Sequence, residues 1–241
     1  FHNVFGYDGF YLESSDTLYR ESFHDARLAR LLSTRYLLYA NTETQRPGSA
    51  AGWERLTEPA GVIIDQREDY LPRAFIVHEL RLVESAEAAL ETLLSPEFDP
   101  AQTAVVHSET PVDCPVQPLS DRSASAALLD YQPTKLTIQT TTPQPSWLIV
   151  NDTYYPGWEA WANGQKLIVH PTDYGLRGIC LPAGDNLIVE MIFNPPILQI
   201  GGWVTATAVL ILLLTTRTHI WLFYRRSAEQ KVLSAESRKL G

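Results

Sequence analysis

Residues 197–216 read ILQIGGWVTATAVLILLLTT, an unbroken run of positions without a charge. As a helix rising 1.5 Å per residue such a run is about 30 Å long, the thickness of a bilayer's hydrocarbon core. Pro195-Pro196 precede it, and Arg217, His219, Arg225 and Arg226 follow. The run predicts one membrane pass between a large polar head and a short tail. A buried core helix is the alternative, but a soluble chain seldom places such a run near its end, between prolines and arginines.

Charge orients the pass. The tail from Arg217 to Gly241 holds six basic residues and two acidic ones, net +4. The whole chain carries −9, so everything before the tail sums to −13. Basic residues beside a membrane end favour the cytoplasmic side. The expected placement is therefore a bacterial cytoplasmic membrane with the head outside and the tail in the cytoplasm. Trp221, Phe223 and Tyr224 suit an inner aromatic belt, with Arg225 and Arg226 beside them, and Trp203 suits the outer interface. The acidic head argues against nucleic acid as a partner. The expected partners are the lipid bilayer and other transmembrane helices.

No signal peptide is visible at the N-terminus. A lone C-terminal anchor would by default leave its head inside. The expectation is that the chain is the end of a longer membrane protein or was cleaved from one, the alternative being a leader ahead of Phe1. Cys114 and Cys180 are the only cysteines. Outside the cell they could pair, or they could stay separate thiols. Neither they nor the scattered histidines have metal-ligand spacing, so no metal or cofactor is expected.

The head reads as α+β: a mixed α/β half over 1–132, a small antiparallel β-sandwich over 133–194, then the membrane helix (195–224) and a basic tail (225–241). A helix is expected from Ser15 or Asp16 to about Leu32. Strands are expected at 35–40, 53–56 and 61–65, and a central strand at RAFIVHELRLV, 73–83. ESAEAALETLL (84–94) is the clearest helix of the head, stopped by Ser95-Pro96. TAVVHS (103–108) is a strand, and a proline-rich linker follows at 111–118. KLTIQTTT (135–142) then alternates, WLIVNDTYY (147–155) is strand-like, and WEAWANGQKLIVH (158–170) is a hairpin turning at Asn163-Gly164. GLRGICLP (175–182) and NLIVEMIF (186–193) complete the sandwich, whose last strand runs almost directly into the membrane helix.

The stretches NDTYYPGWEAWANGQKLIV (151–169) and DYGLRGICLPAGDNLIVEMIFNPP (173–196), followed by a final membrane helix, resemble the C-terminus of bacterial YfhO-like membrane proteins. So do GYD at 6–8, LLSTRYLL at 31–38 and LPRAFIV at 71–77, in the same order. Members of that family look like GT-C type glycosyltransferases, which use polyprenyl-phosphate sugars at the outer face of the membrane. Their catalytic acid sits in an N-terminal membrane bundle that this chain lacks. The resemblance therefore implies a non-catalytic outer domain plus the last helix, with a lipid-linked sugar as a further partner and no catalytic residue to carry over.

Several residues could bind such a ligand. Tyr154, Tyr155, Trp158 and Trp161, beside Asn151 and Asp152, could stack on a sugar ring; equally, they could line the core around a Pro156-Gly157 bend. Asp173, Tyr174 and Arg177 could grip a phosphate or a sugar hydroxyl from a rim, or Asp173 and Arg177 could pair with each other. Tyr7 and Asp8 could touch a lipid-linked substrate near the membrane, or make a turn. Arg73, after Pro72, is expected to be a buried arginine at a strand start, forming an ion pair or binding backbone. No G-x-S-x-G motif marks a hydrolase.

Two further readings stand beside the transferase one. The chain could be an accessory subunit of a larger membrane assembly, its helix packing through Gly201-Gly202, Thr205, Ala206 and Ala208. Residues 133–193 could instead form a free-standing carbohydrate-binding module.

Overall fold

The computed structural model describes residues 13–22, 24–40, 52–57, 61–108, 110–118 and 124–237, with side chains as far as Ile220. The chain divides into two units, residues 1–194 and residues 195–241.

The head opens with helices α1 (Glu13–Ser22) and α2 (Ala26–Leu31). A single helix to Leu32 does not form. Asp25 is extended and its carboxylate accepts the Arg27 backbone N–H at 2.8 Å, an N-cap that starts a second helix where the first ends. Strands β1 (Tyr36–Ala40), β2 (Glu54–Thr57) and β3 (Val62–Gln66) then form a separate antiparallel sheet in the order β1-β3-β2.

The expected central strand at 73–83 is two strands, β4 (Ala74–Val77) and β5 (Glu79–Val83), separated by His78 alone. Helix α3 (Ala86–Leu94) follows, with Ser85 accepting the Ala88 N–H as its cap. Next come β6 (Thr103–His107), β7 (Ser125–Gln132), β8 (Lys135–Thr142), β9 (Ser146–Thr153), β10 (Trp158–Ala162) and β11 (Gln165–Leu167). The head ends with β12 (Val169–Thr172), β13 (Leu176–Leu181) and β14 (Gly184–Phe193). Between β10 and β11, Asn163 (φ 47°) and Gly164 (φ 84°) supply the two positive φ angles of the tight hairpin turn.

Two sheets dominate, in the orders β11-β10-β14-β8-β7 and β4-β9-β13-β12-β6-β5. β4 and β5 are the outer strands of the second sheet, yet one residue joins them. A sheet with that connection must curl until its two edges approach. This sheet takes strands from both sides of residue 133, and β7 pairs with β8 across the same point. The expected boundary at 132/133 is therefore no boundary: residues 1–194 are one unit, and the sandwich is built with strands of the N-terminal half.

The six-stranded sheet is the middle layer. On one face Leu148, Val150, Ile179 and Leu181 meet Leu136, Ile138, Val189 and Met191 of the five-stranded sheet. On the other, Phe75, Val105, Trp147 and Ile149 pack against Leu18, Leu28, Leu31 and Leu93 of the three helices. β9 runs between both cores, so nearly every one of its side chains is buried, whereas β8 alternates because it has one covered face. Each fully buried aliphatic side chain of β9, such as Leu148 and Ile149, contributes about 1.5–3 kcal/mol by leaving water. Trp147 lies so close to β13 that a Cβ on Gly178 would collide with its indole and with the Thr172 hydroxyl.

Cys114 and Cys180 are joined as a disulfide, with Cα atoms 5.7 Å apart. It fastens the extended segment after β6 to β13, where Val112 and Val116 also pack on the helix-side core.

The second unit is α4 (Pro196–Ser237), continuous through the expected helix and into the tail. Its stretch Pro196–Ile220 is long and apolar enough to cross a membrane, and none of it is buried.

Candidate functional site

At one end of the sandwich β9 carries an irregularity. Arg177 of β13 is opposite Val150, but the next pair is Leu176 with Thr153, so Asn151 and Asp152 have no partners of their own in the ladder. Such a bulge re-aims side chains. Here it turns Asp152 toward side chains from three other places in the fold.

Asp152 is buried and gathers two guanidinium groups. Arg73, just ahead of β4, donates from Nη1 to Oδ1 at 2.5 Å. Arg177 lies with Nη2 3.6 Å from Oδ2, and its Nε–H donates to the Thr153 carbonyl at 3.0 Å. The Tyr131 hydroxyl, from β7, donates to Oδ1 at 3.2 Å and accepts from Arg73 Nη1 at 3.1 Å. Trp158 of β10 covers Arg177, whose Cζ is 3.6 Å from the centre of the ring. Phe193, the last residue of β14, lies 5.3 Å from Trp158 and 6.1 Å from Tyr155, centre to centre.

Burial pushes the Arg177 guanidinium down to about 10, although the charges of Asp152 and Tyr131 oppose that fall. Burial first, and the Asp152 charge second, push the Tyr131 hydroxyl up. Arg177 stays charged at neutral pH, held by its carboxylate and its ring. Its Nη1 is buried and has no hydrogen-bond partner among the described residues; neither has Asn151 Oδ1. The cluster therefore has donor capacity beyond what its own side chains use.

Of the residues singled out from sequence, Asp152, Trp158 and Arg177 come together here, and Tyr155 joins through Phe193. Arg73 forms its ion pair at a strand start. Tyr155 is 49 % exposed and does not enter the core; Trp158 packs inward, whereas Trp161 lies beside Lys166, 5.6 Å from its Nζ.

Asp173 does not sit on a rim, and it does not pair with Arg177. It is fully buried at φ 48°, where its Oδ1 accepts the Val105 N–H at 2.8 Å and its own N–H donates to the Val105 carbonyl. Oδ2 has no partner among the described residues. Burial pushes the carboxyl up to about 7, and the Val105 N–H only partly offsets it. This acid extends the β6–β12 pairing and has no access to a ligand. Tyr174 packs partly buried against the helix-side core.

Tyr7 and Asp8 lie outside the described residues. Trp203 and Arg217 are exposed on α4, and Trp221, Tyr224, Arg225 and Arg226 lie on its backbone beyond the described side chains. Among the described residues no group of acids, histidines or cysteines could hold a metal ion. Ser108 Oγ lies 3.0 Å from His170 Nδ1, but it also accepts the Thr110 N–H, and no carboxylate among the described residues bonds to His170.

Tyr131 was not legible from sequence, because SAALLDYQ lacks the β-branched residues that mark a strand. A search against known protein families, curated proteins and solved structures finds none that matches this chain.

Proposed function

We propose that this chain is the non-catalytic outer head and membrane anchor of a YfhO-like, GT-C type membrane protein that glycosylates cell-envelope material. The observation that carries the reading is the order of parts. A disulfide-fastened β-rich head ends at Phe193, an apolar stretch fit to cross a bilayer starts at Pro196, and the tail beyond it is basic. A disulfide suits an oxidising compartment, so it supports a head outside and a tail inside. In this role the head covers the membrane-embedded catalytic bundle and seats a sugar or acceptor, and the polar cluster around Asp152 is the place for such contacts. The test is labelling of intact cells with a membrane-impermeant thiol reagent. A cysteine added at Gly241 should stay unlabelled and one at Ile168, exposed on the head, should react; the reverse overturns the reading, as would sugar transfer by the purified chain alone.

A second reading is an accessory subunit that docks through its helix. It is favoured by Gly201 and Gly202, where an added Cβ would meet no described atom within 4 Å, on a helical stretch none of which is buried among the described residues. Small residues let helix backbones approach closely. Co-purification with other membrane proteins in a fixed ratio, lost on Gly201→Leu, would support this reading over the first.

A further inference from the structure

The aromatic corner of Tyr155, Trp158 and Phe193 is tied to the start of the apolar helix. The Asn194 backbone N–H donates to the Gly157 carbonyl at 2.8 Å, and α4 begins at Pro196. The two residues of chain between them reach about 7 Å at most. The headgroup layer on each side of a bilayer is about 5–8 Å deep. Through this bond and the chain, Gly157 stays within about 10 Å of the helix's first residue, not much more than the depth of one headgroup layer.

The chemistry of the corner suits that layer. Tyr155 is half exposed, and aromatic rings with a polar edge settle at headgroup depth. Behind the rings stand two guanidinium groups that share Asp152. Arg73 is the more accessible, with 21 % of its side chain exposed. Arg177 lies beneath Trp158, and its Nη1 has no partner among the described residues. Guanidinium groups take phosphate oxygens through charge-assisted hydrogen bonds. The chain up to Thr216 sums to −13 and is repelled by an anionic surface, so a corner with two guanidinium groups to one carboxylate, close along the chain to the helix start, is where attraction can act.

We infer that the Tyr155–Trp158–Phe193 corner, backed by Arg73 and Arg177, docks the head on the phosphate headgroup of an anionic membrane lipid. The inference rests on α4 crossing a bilayer, as proposed above. Docking orders loop 154–158 and holds the head against the surface from which the helix enters.

The test uses the full chain in lipid nanodiscs of phosphatidylcholine alone or of half phosphatidylglycerol, read by amide hydrogen exchange of residues 153–158. The basic tail binds the same lipid but lies far along the chain from these amides. One arginine near an anionic surface gains about 1 kcal/mol, so exchange should slow about fivefold in the anionic discs. Tyr155→Ala and Arg73→Gln should each remove that difference. Tyr155 is exposed, so its variant keeps the fold even if the Arg73 variant loosens. Equal exchange in the two lipids overturns the docking, and so does a difference that survives Tyr155→Ala. If inorganic phosphate protects the detergent-solubilised chain as well as the anionic lipid does, the site serves a soluble phosphate ester and the docking falls. Thiol labelling at Gly241 reports the sidedness separately. An unlabelled tail without lipid dependence sinks only the docking; a labelled tail with lipid dependence sinks only the outside placement.

Discussion

Asp152 and Asp173 are both buried acids of the same sheet, and they have opposite surroundings. Asp152 sits in a bulge with two guanidinium groups and a tyrosine hydroxyl around it. Asp173 has backbone for company, and its carboxyl rises to about 7. The difference teaches where a ligand could enter. A carboxylate between two guanidinium groups gathers charge-assisted hydrogen bonds, and the unpartnered Arg177 Nη1 leaves hydrogen-bonding capacity among the described residues there. A carboxyl among amides and apolar side chains serves the scaffold and is destabilised whenever it ionises.

Removing each acid should therefore have effects of opposite sign. Asp152→Ala leaves two guanidinium groups in a largely buried site without their carboxylate. Breaking a buried ion pair in this way destabilises by about 3–5 kcal/mol. Urea unfolding of the detergent-solubilised chain, followed by tryptophan fluorescence, should show the loss; an unchanged midpoint would mean that the acid does not hold the arginines. The disulfide comes next. Cys180 is on β13, which pairs with β9, where Asp152 lies, and with β12, which leads into Asp173. Cys114→Ser with Cys180→Ser should lower stability by about 2–4 kcal/mol. Hydrogen exchange should rise around both acids, and a rise around only one would mean that β13 does not link the two.

Local pattern explains which parts of this arrangement sequence reveals. KLTIQTTT alternates because one face of β8 meets a core, and Asn163-Gly164 has the residues that a two-residue turn needs. ESAEAALETLL joins a cap, helix formers and a stop within one stretch. Each signal spans a few neighbours. Arg73 and Asp152 are 79 positions apart, and they meet because a bulge turns one toward the end of another strand. Neither spacing nor composition encodes that meeting, and Asp173 and Arg177, close in sequence, read as the more natural pair. The break at His78 was hidden for the same reason: RAFIVHELRLV is apolar enough for one strand, and only pairing with β9 and then with β6 divides it. Pairing of the two cysteines stayed open because residues 66 apart are brought together only by the tertiary fold, one from the segment after β6 and one from β13.

The third effect is smaller and depends on pH. Asp173 binds its proton more tightly in the folded chain, at about 7, than at the ordinary value of 3.8. Between those values the unfolded chain ionises first, so stability falls as pH rises; above about 7 the full loss is in place. Asp173→Asn keeps the oxygen that accepts the Val105 N–H, and asparagine tolerates the positive φ. The variant should be more stable than the parent at pH 8 by about 1–3 kcal/mol, with the gap closing below pH 4. A variant less stable than the parent at pH 8 would show that the carboxylate is charged and useful there, and the contrast between the two acids would fail.

Tyr155→Ala has the smallest expected effect on stability and separates scaffold from surface at the Asp152 end. Half of Tyr155 is exposed, and its ring meets Phe193 edge-on. Losing that contact costs about 0.5–1.5 kcal/mol. The ring does not touch the carboxylate or either guanidinium directly, so unfolding midpoints should barely move while the lipid dependence of loop 154–158 disappears. That pairing of outcomes is what a surface residue predicts. If Tyr155→Ala instead destabilises as much as Asp152→Ala, the corner belongs to the same buried network as the acid. The Asp152 end would then be scaffold throughout, like the Asp173 turn on the other side of β13.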